Sequence, residues 1–316
     1  MKNVVITTYP FGIPNSTPIN LLQTYNINFS LNQIGRKYSR EEHHKILRET
    51  NPEAIIAGTE QYNVEALDLC PNLKIIARVG VGIDSVDLIA CKNRGIVVTN
   101  GPETCTNAVA EITICQILNA LRRVPQVSQN LKNLGWNRFI GREIRDCNIG
   151  IIGVGRIGSL VLEKLQSLKP RQIFINDIDP TKLIDRPRAT SVSLSYLLNV
   201  SDVVTIHIPL DDNYHFIGTR ELQMMKTDAC ILNYSRGGII DENALLKHVQ
   251  NNKEFQAVID TFENEPYTGP FIHEDQIIIT PHLGSCTTAA RLKMETQAVE
   301  DIINFINHKT LHHRVV

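Results

Sequence analysis

The turn Gly153-Val154-Gly155-Arg156-Ile157-Gly158 has residue types and spacing suited to a phosphate-bearing cofactor. Its first glycine permits a tight turn and its second lets the backbone approach a pyrophosphate. Its third lets a helix pack closely on a strand, with the helix N-terminus facing the phosphates. Asp177 stands where a carboxylate accepts hydrogen bonds from a ribose and repels a 2′-phosphate, which favours NAD over NADP. His282 can carry a proton, because an imidazole titrates near neutral pH. Arg236 offers a fixed fork of donors that matches a carboxylate. Glu263 and Glu265 both offer the histidine an acidic partner.

These residues need elements to hold them. Residues 148–152 form a short apolar stretch of buried-strand character, and residues 159–165 carry apolar side chains at helical spacing. Residues 172–177 read as a second strand ending in Asp177, so the glycine turn sits in the βαβ context that gives it meaning. Strands are also predicted at 4–7, 54–57, 73–77 and 95–99, and in a second series at 203–207, 229–233, 257–260 and 276–280. Charged helical stretches such as 39–47 lie between them. A long helix is expected over 107–122 and a last one over 288–307, with no strand after it. This alternation is the rhythm of open parallel sheets, so the fold class is α/β in two halves, the dinucleotide fold being the second.

The 316 residues suffice for two domains, each with its own core. A hydrophobic content of 42% with 21% charged residues describes a globular chain, and a net charge of -1 provides no global field for nucleic acid or an anionic membrane. The apolar run before Pro10 is too short for a signal-peptide core, and no apolar stretch approaches the ~20 residues of a membrane span. Seven cysteines without a CxxC pair fit reduced thiols in a cytoplasmic protein. Cys105, Cys115 and Cys286 lie near motifs and are assigned to packing. The pairs His43-His44 and His312-His313 lack a third ligand at metal spacing and read as surface residues, so no metal is expected.

Four further segments complete the set: residues 78–87 (RVGVGIDSVD), 233–242 (NYSRGGIIDE), 260–266 (DTFENEP) and 280–285 (TPHLGS). In this order around the glycine turn they resemble the D-isomer-specific 2-hydroxyacid dehydrogenases over nearly the whole chain. The short phosphoglycerate-dehydrogenase-like branch is the most similar, and residues 32–37 and Ala57-Gly58-Thr59-Glu60 suggest the same branch. The resemblance implies two Rossmann-like domains. A flavodoxin-like substrate domain would occupy 1–101 and 286–316, with an NAD-binding domain at 102–285 inserted in it and crossing helices near 101–122 and 285–305. It implies NAD-dependent interconversion of a D-2-hydroxy acid and its 2-keto acid. His282 would be the general acid/base, Glu265 its partner, and Arg236 the ligand of the substrate carboxylate. Arg78, Val79, Gly80 and Val81 would bind substrate, in part through backbone N–H groups of the turn. Arg156, Ile157, His207, Ile208, Pro209, Tyr234, Ser235, Asp260 and Gly284 would join Gly153, Gly155, Gly158 and Asp177 around the cofactor. A homodimer is implied, with the Trp136 region reaching across its interface. The chain stops at Val316, where longer phosphoglycerate dehydrogenases carry a regulatory domain, so serine feedback through one is not expected.

Arg78 stands where similar phosphoglycerate enzymes carry an arginine, and Arg36 and Lys37 are further candidates for a phosphate. An arginine often found before the Gly58-Thr59 position is replaced by Ala57. Residues 100–103 read Asn-Gly-Pro-Glu where the family usually has Asn-Thr-Pro-Gly or Asn-Thr-Pro-Asp, so Glu103 bears on substrate preference. The expected activity is D-3-phosphoglycerate dehydrogenase-like, with hydroxypyruvate/glyoxylate reduction as the alternative. An NAD(H)-sensing, corepressor-like binding protein is the reading from a different class, and a small anion such as formate is a third possibility for the substrate.

Overall fold

Runs such as Ala54-Ile55-Ile56-Ala57 and Cys230-Ile231-Leu232-Asn233 are buried at every position. Strands buried on both faces carry no polar alternation and belong in parallel sheets covered by helices. The computed structural model describes residues 3–13, 15–311 and 313–316. It divides into two compact units, Met1–Cys105 with Cys286–Val316, and Thr106–Ser285.

The first unit begins β1 (Val4–Ile6), α1 (Thr17–Thr24), β2 (Phe29–Ser30), α2 (Arg40–Thr50) and β3 (Ala54–Ala57). It continues through α3 (Val64–Asp68), β4 (Ile75–Arg78), α4 (Leu88–Asn93) and β5 (Val97–Thr99). The strands pair in parallel in the order β2-β1-β3-β4-β5. That order reverses direction between β1 and β3, so a crevice opens beyond their carboxyl ends. Ser39 starts α2 with a capping box, its hydroxyl accepting from the Glu42 N–H while Glu42 reaches back to the Ser39 N–H. Leu47 on that helix then packs with Ile55, Tyr62, Leu67 and Ile76 in the core.

The second unit contains α5 (Thr106–Arg122), α6 (Val124–Lys132), β6 (Asn148–Ile152), α7 (Arg156–Leu168), β7 (Gln172–Asn176) and β8 (Thr190–Ser191). After these come α8 (Leu194–Val200), β9 (Val203–Ile206), α9 (Thr219–Met224), β10 (Cys230–Asn233), α10 (Glu242–Asn251), β11 (Gln256–Ile259) and β12 (Ile277–Ile279). All seven strands are parallel, ordered β12-β11-β10-β9-β6-β7-β8, with the reversal between β6 and β9. Helix α5 packs against α7. The chain returns to the first unit with α11 (Thr288–Ile306), which packs on α1 and β4. Past it, Arg314 makes an isolated antiparallel bridge to Thr99, so the tail touches the β5 edge without becoming a strand.

Two expectations from sequence need correction. His43 is not a surface residue: it is 2% exposed, with its ring edge-on to Tyr62 at 4.8 Å. It is the inward face of amphipathic α2 that carries it there, beside buried Leu47. Cys115 and Cys286 are exposed and pack in no core, whereas Cys105 is buried. His312 lies outside the described residues. Among those described, no three His, Cys, Asp or Glu side chains are grouped to hold a metal ion, and no helix is long and apolar enough to cross a membrane.

Candidate active site

In the second unit the strand order lines up the carboxyl ends of β7, β6, β9, β10, β11 and β12 in one row. Each end delivers one of the segments singled out from sequence. Asp177 follows β7, the glycine turn follows β6 and His207 follows β9; Arg236 follows β10, Glu265 follows β11 and His282 follows β12.

The glycine turn is built by close approach. Gly153 has a φ of 86°, in the left-handed region that favours glycine, and a Cβ there would lie 2.6 Å from the His207 carbonyl oxygen. A Cβ on Gly158 would lie 1.9 Å from the Gly153 carbonyl oxygen, which fixes how tightly α7 meets the turn. Gly155 differs: it is the N-cap of α7, and a Cβ there would meet nothing within 4 Å. The open space lies at the helix N-terminus, where N–H groups lack intrahelical partners. The Asp177 carboxylate accepts from the Val154 N–H at 2.8 Å and the Asp179 N–H at 2.9 Å, with Lys182 Nζ 3.5 Å away. Each of its oxygens keeps acceptor capacity for a ribose hydroxyl.

His207 pairs its Nε2 with the Thr205 hydroxyl at 3.0 Å, while its Nδ1 is buried with no hydrogen-bond partner. Burial pushes its pKa down to about 3, so the ring is neutral at physiological pH. Ile208 packs on the turn, its Cγ2 lying 2.8 Å from where a Gly153 Cβ would be, and Pro209 is exposed. Beyond β10, Tyr234 is buried and its hydroxyl meets Thr280 Oγ1 at 3.4 Å; burial pushes this phenol up to about 12. Ser235 donates to the Ile206 carbonyl at 2.9 Å. Asn233 accepts from the Ser235 N–H and donates to the Arg236 carbonyl, fixing the turn that presents Arg236. Arg236 is half-buried, and its Nη1 donates to the Ser235 carbonyl at 2.8 Å.

His282 and Glu265 meet directly: Nδ1 lies 3.0 Å from Oε2 and 3.2 Å from Oε1. An ionised carboxylate only accepts, so Nδ1 is the donor in this pair and Nε2 is the nitrogen left to give or take a proton. Glu263 takes no part in this pair; it binds His215 Nε2 at 2.9 Å and the Tyr214 hydroxyl at 3.3 Å. Asp260 is 1% exposed, and its carboxylate accepts from the Thr280 hydroxyl, the Leu283 N–H at 2.7 Å and the Gly284 N–H at 2.8 Å. It therefore clamps the loop that carries His282, a positioning task that residue type alone did not reveal. Thr280 and Asn233 are the other positioning residues that sequence reasoning left without a role. An Asn at a strand end followed by Ser is a signal for the turn that Asn233 makes.

In the first unit, Arg78 closes β4 and is 8% exposed, with Nη1 donating to the Val79 carbonyl at 2.9 Å and the Ala57 carbonyl at 3.4 Å. The next residues turn sharply through Gly80, at φ 137°. Asn100 donates to the Val81 carbonyl at 2.7 Å and Gln297 donates to the Asn100 carbonyl at 3.0 Å, which pins the turn from below. Arg36 pairs with Glu42 at 2.8 Å, and Lys37 is exposed.

The residues around the glycine turn fit NAD: space is open at Gly155, one His207 nitrogen lacks a partner, and a carboxylate stands at the end of β7. Comparison with known proteins agrees. Residues 114–284 match the family model for the D-isomer specific 2-hydroxyacid dehydrogenase NAD binding domain. The chain is 34% identical over 273 residues to a D-3-phosphoglycerate dehydrogenase of Archaeoglobus fulgidus, covering 84% of this chain and 51% of that protein. It is 34% identical over 263 residues to a glyoxylate reductase of Aeropyrum pernix, covering 79% and 78%. The chain thus spans about half the length of the archaeal phosphoglycerate dehydrogenase. The crystal structure of the TT0316 protein from Thermus thermophilus superposes over all of both chains with a TM-score of 0.89 at 26% identity. By its family model, its relatives and its fold, the chain belongs to the D-isomer-specific 2-hydroxyacid dehydrogenases.

Proposed function

We propose that this chain is an NAD-dependent oxidoreductase that interconverts a small D-2-hydroxy acid and its 2-keto acid, with Arg236, Glu265 and His282 as its catalytic residues. The observation that carries this is the His282–Glu265 pair at 3.0 Å, in the same unit as the glycine turn. Bound NAD would accept or supply the hydride at C2. In the reduction, His282 gives its Nε2 proton to the C2 oxygen, and in the oxidation it takes that proton back. Glu265 holds the ring and stabilises the imidazolium before the proton leaves. Arg236 binds the substrate carboxylate and polarises the carbonyl. The substrate-binding role of Arg78, Val79, Gly80 and Val81 is supported by the sequence resemblance and by their place at the carboxyl end of a parallel sheet. Gly153, Gly155, Arg156, Ile157, Gly158, Asp177, His207, Ile208, Pro209, Tyr234, Ser235, Asp260 and Gly284 form the cofactor site in this reading.

Relatives carry two substrate names, D-3-phosphoglycerate dehydrogenase and glyoxylate reductase, so both substrates belong to the proposal. A homodimer and a cytoplasmic setting complete it; seven free cysteines support the second. The test is NADH oxidation by purified protein with hydroxypyruvate, glyoxylate and 3-phosphohydroxypyruvate in parallel. His282→Ala is expected to lower kcat at least ~100-fold, the scale of general acid catalysis. Turnover that survives the substitution would overturn the assignment, and absence of turnover with all three acids would favour an NAD(H)-binding regulator.

A further inference from the structure

We propose that Glu60 is a specificity-determining residue: its buried carboxylate offsets the charge of Arg78, so the first unit accepts unphosphorylated 2-keto acids and disfavours phosphorylated ones. The inference rests on the dehydrogenase reading above and on substrate meeting the Arg78–Val81 turn.

The first sheet reverses at β1/β3, and its crevice is bordered by the carboxyl ends of β1, β3 and β4. Thr7 follows β1, Gly58 and Glu60 follow β3, and Arg78 ends β4. Glu60 is 4% exposed. Its Oε2 accepts from the Thr7 hydroxyl at 3.0 Å. Thr7 Oγ1 accepts in turn from the Gly58 N–H at 3.2 Å, and the Tyr62 hydroxyl lies 2.8 Å from it. With the Thr7 hydrogen committed to Glu60, Tyr62 is the donor to Thr7. The chain of donors ends on the Glu60 carboxyl, which accepts from Thr7.

Backbone makes room for this carboxylate. A Cβ on Gly58 would lie 2.6 Å from Glu60 Oε2 and 3.0 Å from the Thr8 Cα, so a side chain there would push the Glu60 carboxyl aside. Arg78 lies on the other side of the same strand end, with Nη1 over the carbonyl of Ala57, the residue before Gly58. A Cβ on Gly80 would lie 3.6 Å from Nη1 and 3.9 Å from Nη2, which places the guanidinium between the β3 end and the substrate turn. Burial pushes the Glu60 pKa up, while Thr7, Lys37 and Arg78 favour its charged form. Lys37 is solvent-exposed, where water and salt screen it. Glu60 and Arg78 are thus a buried acid and a buried base that border the same crevice. A 2-keto acid whose only charge is the carboxylate bound by Arg236 brings no second anion to Glu60. A phosphate dianion at Arg78 would also face Glu60, in a setting that weakens repulsion little.

Glu60→Gln keeps the shape and an acceptor while removing the charge. The test measures kcat/KM with NADH for hydroxypyruvate and 3-phosphohydroxypyruvate, and calorimetric binding of D-glycerate and D-3-phosphoglycerate to the NADH-loaded protein. The wild type is expected to prefer the unphosphorylated acid, and E60Q to raise the phosphorylated-to-unphosphorylated ratio about tenfold or more. A wild-type preference for the phosphorylated acid would overturn the inference, as would equal losses for both acids in a folded E60Q. If neither acid turns over but the binding ratio still shifts in E60Q, the dehydrogenase reading fails and the charge assignment stands. If turnover is normal and neither ratio moves, the charge assignment alone fails. Should E60Q not fold, the wild-type ratio of D-glycerate to D-3-phosphoglycerate binding decides between them.

Discussion

His43 and His207 are both held neutral by burial, with pKa values pushed down to about 4 and about 3. In the unfolded chain each would titrate near 6.5. Below that pH the unfolded state takes up protons that the folded state refuses, so stability is lost as pH falls from about 6.5 toward 4. His43 alone accounts for roughly 3 kcal/mol across that window. His43→Leu is expected to flatten the fall in melting temperature between pH 6.5 and 4, leaving the share due to His207. An unchanged slope would show that His43 is not the group responsible. The role of His43 was not legible from sequence, where a histidine in a charged helix looks solvated and burial becomes visible only when Tyr62 closes over it. Residue type alone does not separate Glu263 from Glu265, both carboxylates in one loop. The family motif favours Glu265, and the turn after Phe262 gives the physical reason that it reaches His282. The Phe262 N–H donates to Glu265 Oε1 at 3.2 Å, pointing that side chain inward.

Two glycines in one element carry opposite predictions. Gly158 lies in the first turn of α7, with no room for a Cβ against the Gly153 carbonyl, so Gly158→Ala must displace backbone. It is expected to lower the melting temperature and weaken NAD binding together. Gly155 faces open space, so Gly155→Ala should melt within a few degrees of wild type. Its Cβ would still intrude where a pyrophosphate approaches, and NAD affinity should fall at least ~tenfold, about 1.4 kcal/mol. Thermal melts paired with NAD titration calorimetry check both; full NAD affinity in Gly155→Ala would remove the phosphates from this turn. The βαβ unit was readable because its strands are continuous apolar runs and its turn needs glycines. By contrast β2 and β8 span two residues each, half-buried or exposed, and leave no pattern to read. Helix α6 was missed for a related reason. It follows α5 after one residue, Arg123 in the left-handed region, and buries none of its side chains, so no core stripe announces it.

An amphipathic helix with no buried face, followed by exposed apolar side chains, needs a partner to explain it. Beyond α6, Leu134 is 97% exposed, Trp136 81% and Ile140 95%, far more than scattered surface hydrophobics require. The proposed homodimer would cover this segment, which lies in the NAD-binding unit. Light scattering on a sizing column is then expected to give twice the 35.5 kDa protomer mass. Trp136→Glu, which places a charge at the centre of the patch, should shift the protein toward monomer by desolvation cost alone. The chain has a single tryptophan, so its fluorescence reports on this segment without interference. Emission should be blue-shifted at high protein concentration and move red on dilution through the dimer dissociation range, as the indole passes from a packed interface to water. A red-shifted spectrum in a stable dimer would place the interface elsewhere on the chain and leave residues 134–140 exposed in the assembly. A monomer at all concentrations would require another partner for the patch.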